Sequence, residues 1–241
     1  VLEAAGLEPD EVIQAWIFHT RSEEQVTDPL VSMQAAAADW SLDSWSIDSD
    51  VWDGEDRLIY GTFTAPDFLG EDEWIEIDED GAAVLRGTRE VPFMLTIPIT
   101  ASTQTRPVIV FGHGFFSAME EPTWSSLNRG LHEWEMMAAT TPFIGFCEDD
   151  LVASMAIVAG DLNQLWKVIS QQMQSHVHFT LLARLLAEEL PSQITDDVGT
   201  PLIDADAIHY MGISNGGTQG LVIMAASPTF ERGVLVVPGG G

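Results

Sequence analysis

Apolar and polar positions change rhythm along this chain. Residues 12–20, VIQAWIFHT, are an almost unbroken apolar run and predict a buried strand. DPLVSMQAAAADW, Asp28 to Trp40, predicts a helix entered through an acid and a proline in its first turn. Residues 41–56 mix Asp and Ser with tryptophans, the pattern of a surface excursion pinned by aromatic anchors. Period-two alternation returns in LIYGTFTAP from Leu58 and in VPFMLTIPI, Val91 to Ile99, two strands whose prolines favour edges or strand ends.

From Arg106 the texture becomes an α/β rhythm. PVIVFGHG is a continuous apolar strand closed by glycines, as expected of a parallel strand buried on both faces. TPFIGF, residues 141–146, predicts a second such strand and AIHYMGI, 207–213, a third. Between them, Leu162, Leu165, Trp166, Ile169, Met173, Val177, Leu181, Leu185 and Leu190 keep near-helical spacing, so Asp161 to Leu190 is one long helix or two in succession, ended by Pro191. TQGLVIMAAS follows as a helix and GVLVVPGGG as a fourth strand. The fold class is α/β: a mostly parallel sheet with helices on both faces, carried by residues 91–241, with a strand-rich elaboration, residues 1–90, packed on it.

Composition narrows the partners. Acidic residues number 38 against 9 basic ones, a formal charge of −29, and Lys167 is the one lysine. That field repels phosphate backbones and anionic membranes, which excludes nucleic acid as a partner. It fits a secreted, cell-envelope or salt-adapted protein. Raising ionic strength should therefore screen self-repulsion and lift the melting temperature by a few degrees. A melting temperature that falls steadily with sodium chloride would contradict this. With 46% apolar residues and 241 positions the chain can bury a large core. The lone Cys147 forbids an internal disulfide. No apolar run reaches the roughly 18 residues of a membrane span. The chain opens on Val1 without a signal-peptide pattern, which points to a trimmed N-terminus. GEDEWIEIDEDG, Gly70 to Gly81, is acidic enough to invite a calcium ion but lacks EF-hand spacing, and reads as a solvated loop. No metal site or cofactor is expected.

The chemistry lies in HYMGISNGGTQG, residues 209–220. Gly-x-Ser-x-Gly between a strand and a helix is the nucleophile elbow. Its tight bend needs Gly212 and Gly216, Gly217 lets the helix approach the sheet, and the Ser214 hydroxyl is left exposed beside the positive end of the helix. A tetrahedral oxyanion needs two backbone donors. One is the residue after the nucleophile, Asn215; the other comes from FGHGFF, where Gly114 lets the chain turn and the Phe115 N–H can face an ester carbonyl. His113 is expected to orient that loop. Phe115, Phe116, Met119 and Trp124 fit an acyl pocket and fit core or lid packing equally well.

VIVFGHGFF, GISNGG and ERGVLVVPGGG together resemble the α/β-hydrolase superfamily, more narrowly secreted bacterial lipases and esterases with a β-rich leading segment echoed here by IQAWIFHT and YGTFTAP. The resemblance implies an α/β-hydrolase fold and a serine ester hydrolase acting on a small-molecule or lipid ester through Ser214. In that family the acid and the histidine follow the serine. Here the residues after Ser214 contain no histidine or aspartate and one glutamate, Glu231, while His19, His113, His132, His176, His178 and His209 all precede it. The missing pair is expected from sequence beyond Gly241 or from a second polypeptide that completes sheet and triad. Val234 to Val237 should then meet strands of that second chain or present an apolar edge. A non-catalytic hydrolase-fold subunit is the alternative.

Overall fold

A computed structural model describes residues 22–239 together with Gly6 and Thr20. The strand expected at 12–20 lies outside the described residues, apart from Thr20. Helix α1, Glu23–Ala38, begins earlier than expected because Ser22 and Gln25 form a reciprocal capping box, and Pro29 falls inside the helix instead of at its entry. Residues 41–56 are no loop. Most of them form strand β1, Trp45–Asp53, whose aspartates face water because it lies at a sheet edge, with a bulge between Ile47 and Ser49. Strands β2, Asp56–Asp67, and β3, Gly87–Pro98, follow as expected, except that β3 is internal despite Pro92: it pairs with β2 along its length and with a later strand only over Met94–Thr96, leaving Pro92 clear of the second ladder.

Strand β4, Arg106–Gly112, leads to helix α2, Ser125–Trp134, and then to strand β5, Met137–Thr140. The strand expected at 141–146 is displaced into this preceding MAAT segment. Pro142 lacks the ladder N–H and Gly145 adopts φ 84°, so the chain turns there instead of extending. Helix α3, Leu151–Gly160, precedes helix α4, Leu165–Glu188, the long helix expected from the periodicity. Strand β6, Ile203–Ile213, helix α5, Asn215–Ala226, and strand β7, Gly233–Val236, complete the order. Helices α2 and α3 escape sequence reading: α2 starts without a side-chain cap, and α3 is apolar on nearly every side.

One seven-stranded sheet, in the order β1-β2-β3-β5-β4-β6-β7, contains all of these strands. β1, β2, β3 and β5 pair antiparallel in turn, and β5, β4, β6 and β7 are parallel. One face carries α1, α4 and α5 over the main core, in which Phe63, Phe93, Phe143, Phe179 and Tyr210 are buried. The other carries α2, whose Leu127 and Leu131 cover Ile109, Phe111 and Ala138. Each such buried side chain contributes about 1.5–3 kcal/mol. β7 pairs with β6 alone, and among the described residues its outer edge is unpaired, with Val234 more than half exposed. Val237 lies past the strand, at φ 45°.

Helix α4 buries polar side chains as well as leucines. Gln174 accepts from Phe68 N–H and donates to Pro66 O, both at 2.9 Å. Ser170 accepts from Ile75 N–H at 3.1 Å and Ser175 from Ile144 N–H at 2.9 Å, while Gln172 donates to Ile144 O. Loops at 66–75 and 143–147 are thus hung from one helix by neutral hydrogen bonds. His178 Nε2 sits 3.0 Å from Gln174 Nε2, which donates, so the imidazole proton is on Nδ1.

Burial lowers the pKa of His176 to about 4 and that of His178 to about 3, from an ordinary value of 6.5. Both are neutral in the fold and titrate more easily once unfolded. Their contribution is full above pH 6.5 and is lost as pH falls toward 4, at up to about 1.4 kcal/mol per pH unit for each. Thermal melts between pH 7.5 and pH 5, for the parent and for His178→Gln, test this. The substitution should flatten the acid slope, and equal slopes would refute it.

Candidate functional site

The parallel strands β4 and β6 lie side by side with Gly112 opposite Gly212, and the chain bends sharply just beyond both. Ser214, directly after β6, adopts φ 57° and ψ −109°, a conformation that costs a non-glycine residue about 1–3 kcal/mol. It is held there from three sides. Ser214 N–H donates to Val236 O at 3.0 Å, Thr218 N–H donates to Ser214 O at 3.0 Å, and Gly216 N–H donates to His113 O at 3.0 Å. A Cβ on Gly212 would overlap the Gly216 carbonyl, and one on Gly216 would overlap the Gly112 carbonyl. On Gly217 it would lie 2.8 Å from Val236 O. Tyr210 Oη donates to Gly216 O at 2.7 Å and secures the first turn of α5 from below.

Across the bend lies the loop that follows β4. A Cβ built on Gly114 would sit 4.0 Å from Ser214 Cβ. His113 is buried, and burial lowers its pKa. Its Nε2 accepts from Phe143 N–H at 2.9 Å, which places the ring proton on Nδ1, 2.8 Å from Gly114 O. Both ring nitrogens are thus committed to backbone. Phe116, at φ 51°, donates its N–H to Phe146 O at 2.8 Å. Phe115 and Phe116 gather around Phe146, with the Phe115 and Phe146 ring centres 4.4 Å apart and Phe115 exposed by 56%. Met119 is half-buried, its carbonyl accepting from Thr140 Oγ1, and Trp124 stands half exposed at the start of α2.

Among the described residues, neither the Phe115 nor the Asn215 backbone N–H makes a hydrogen bond. These two donors sit on the two segments that the Gly216–His113 bond ties together at Ser214. The Asn215 side chain is buried and accepts from Gln219 at 3.4 Å, and Gln219 Oε1 in turn accepts from His176 Nε2 at 2.8 Å. Cys147 is no competing nucleophile. Burial pushes its thiol up to about 12, and Sγ donates to Phe143 O at 3.0 Å.

The other histidines are placed elsewhere. His132 pairs with Asp56 at 2.9 Å between α2 and β2. His176 and His178 are buried in α4. His209 is five residues before Ser214 on β6, roughly 16 Å along the strand, beside Trp134, Met136 and Val234. His19 lies outside the described residues. No hydrogen bond joins any described histidine to Ser214, and no group of three or more His, Cys, Asp or Glu among the described residues could hold a metal ion. Residues that sequence reading did not single out are Glu121, Phe146, Tyr210 and Gln219. Only Gln219 carries a local signal, its i+4 spacing from Asn215.

The sheet order, the crossovers and the elbow are those of the α/β-hydrolase fold. Solved structures with this fold include acetyl xylan esterase 1 from Thermoanaerobacterium sp., with a TM-score of 0.50 and 15% identity, covering 88% of this chain and 56% of its own. An acetyl xylan esterase from Paenibacillus sp. aligns with a TM-score of 0.51 and 12% identity over 92% of this chain and 61% of its own. A methylesterase aligns with a TM-score of 0.54 and 11% identity over 89% of this chain and 39% of its own. The chain thus spans between about two fifths and three fifths of the length of these proteins. No family model and no curated protein matches it. No helix among the described residues is long and apolar enough to cross a membrane.

Proposed function

We propose that this chain is the nucleophile-bearing part of a serine carboxylic ester hydrolase. The observation that carries the reading is the pair of N–H groups, on Phe115 and Asn215, that no described residue accepts from and that flank a strained and partly exposed Ser214. Ser214 Oγ attacks the ester carbonyl and its proton passes to a base. The carbonyl oxygen becomes an oxyanion held by the two amides, the alcohol leaves, and water then releases the acid from the acyl-enzyme. A histidine and an acid from outside the described residues, in sequence beyond Gly241 or on a second polypeptide, supply the base: among the described histidines the ring nitrogens of His113 are both engaged with backbone and His176 is buried behind the elbow. Such a segment would dock beside the open edge of β7. The esterases sharing this fold favour a carboxylic ester as substrate, and the Phe115–Phe116–Phe146 cluster favours an apolar group on it.

A fluorophosphonate probe tests the reading, with the labelled residue mapped by mass spectrometry. Labelling at Ser214 is the expected result. If Ser214 stays unlabelled even with the complementary polypeptide present, the chain is a non-catalytic hydrolase-fold subunit.

A further inference from the structure

Loop 114–117 has four backbone N–H groups, and three have acceptors. Gly114 donates to Glu121 Oε2 at 3.2 Å, Phe116 to Phe146 O at 2.8 Å and Ser117 to Gly114 O at 3.3 Å. The Ser117 hydroxyl donates to the same Glu121 oxygen at 2.8 Å. One carboxylate oxygen therefore clasps both ends of the turn whose remaining N–H, that of Phe115, makes no hydrogen bond among the described residues. The clasp stands on a firm base. Glu121 opens a short 3₁₀ turn, Glu121–Thr123, anchored by the buried Pro122, by Glu121 N–H to Ala118 O at 3.2 Å and by Trp124 N–H to Glu121 O at 3.0 Å. Just before it, Thr140 Oγ1 on β5 donates to Met119 O at 2.7 Å.

We propose that Glu121 is a positioning residue: by binding Gly114 N–H and Ser117 Oγ together it aims the Phe115 amide at the oxygen that develops charge above Ser214. The role rests on the ester-hydrolase reading given above. A carboxylate is an unfavourable neighbour for a developing oxyanion, since like charges repel, so its negative charge does not itself assist the reaction. What it contributes is acceptance of two hydrogen bonds from a fixed point, which charge makes stronger. A neutral amide oxygen in the same place can accept both. Nucleophile or base chemistry at Glu121 would show the opposite preference, since an amide cannot take a proton at neutral pH.

The experiment follows fluorophosphonate inactivation of the parent, Ser214→Ala, Glu121→Ala, Glu121→Gln and Ser117→Ala, each with the segment or polypeptide that supplies the histidine and acid present, separating the rate of bond formation from probe affinity. Phosphonylation at Ser214 passes through the same anionic oxygen, so it reports the donor geometry. Glu121→Ala should slow bond formation about 100-fold with affinity changed by less than about threefold, because a donor displaced by about 1 Å loses that much. Glu121→Gln should restore the rate to within about fivefold of the parent, and Ser117→Ala should lose about fivefold. Glu121→Ala reacting within about threefold of the parent, or Glu121→Gln as slow as Glu121→Ala, overturns the role. If Glu121→Ala does not fold, Ser117→Ala decides, and a parental rate there overturns it. Failure of the underlying reading looks different: parent and Ser214→Ala would be equally unlabelled, and the role would fall with it.

Discussion

Ser214→Ala should abolish covalent labelling and any ester hydrolysis while leaving the melting temperature within about 2 °C of the parent or raising it. The Oγ atom makes no hydrogen bond to the described residues, so its removal costs little packing, and loss of an attacking serine lowers rate by several orders of magnitude. Alanine keeps the φ of 57° and its strain, so the backbone has no reason to relax. Hydrolysis within about tenfold of the parent would place the nucleophile elsewhere.

Gly216→Ala should be the most damaging single methyl in the protein. Its Cβ would overlap the Gly112 carbonyl, a backbone group in the centre of the sheet, and the clash cannot be relieved by turning a side chain. Separating β4 from α5 would also stretch the bond from Gly216 N–H to His113 O that unites the two halves of the site. A loss of about 3 kcal/mol or more is expected, roughly 6–12 °C in melting temperature for a domain of this size, together with loss of labelling. Gly160→Ala makes a suitable control, because a Cβ there meets nothing within 4 Å. Equal melting temperatures for the two variants would show that the elbow is looser than its geometry implies.

The elbow was legible in the sequence because its chemistry is local. Gly212, Ser214, Gly216 and Gly217 act on one another across a few residues, and strand, bend and helix follow in uninterrupted order. Long helix α4 and strand β2 were legible because each repeats one period over many residues, and β4 and β6 because each is an apolar run closed by glycine. Misreadings arose where the deciding partner is remote. Residues 141–146 have the apolar content of a strand, but Ser175 and Gln172, some thirty positions away, claim the backbone of Ile144 and hold it as a turn. Strand β1 carries aspartates that suit a loop, and only its place at the sheet edge permits them. Glu121 gave no signal, because its two partners precede it by seven and four residues across an irregular turn that no periodicity describes.

The polar face of α4 has a consequence for how the protein meets a changing medium. Gln172, Gln174, Ser170 and Ser175 hold their loops through amide and hydroxyl groups, none of which carries a charge. The surface that bears the −29 responds to every change in counterions, whereas these interior struts feel none of it. Salinity can therefore act on the charged surface, and on the Asp150 carboxylate that accepts from Gly145 and Cys147 N–H, while the neutral hydrogen bonds from α4 to Ile144 are screened little. The site thus has two kinds of mounting, neutral struts from α4 and carboxylate clasps at Glu121 and Asp150, and only the second kind answers to counterions.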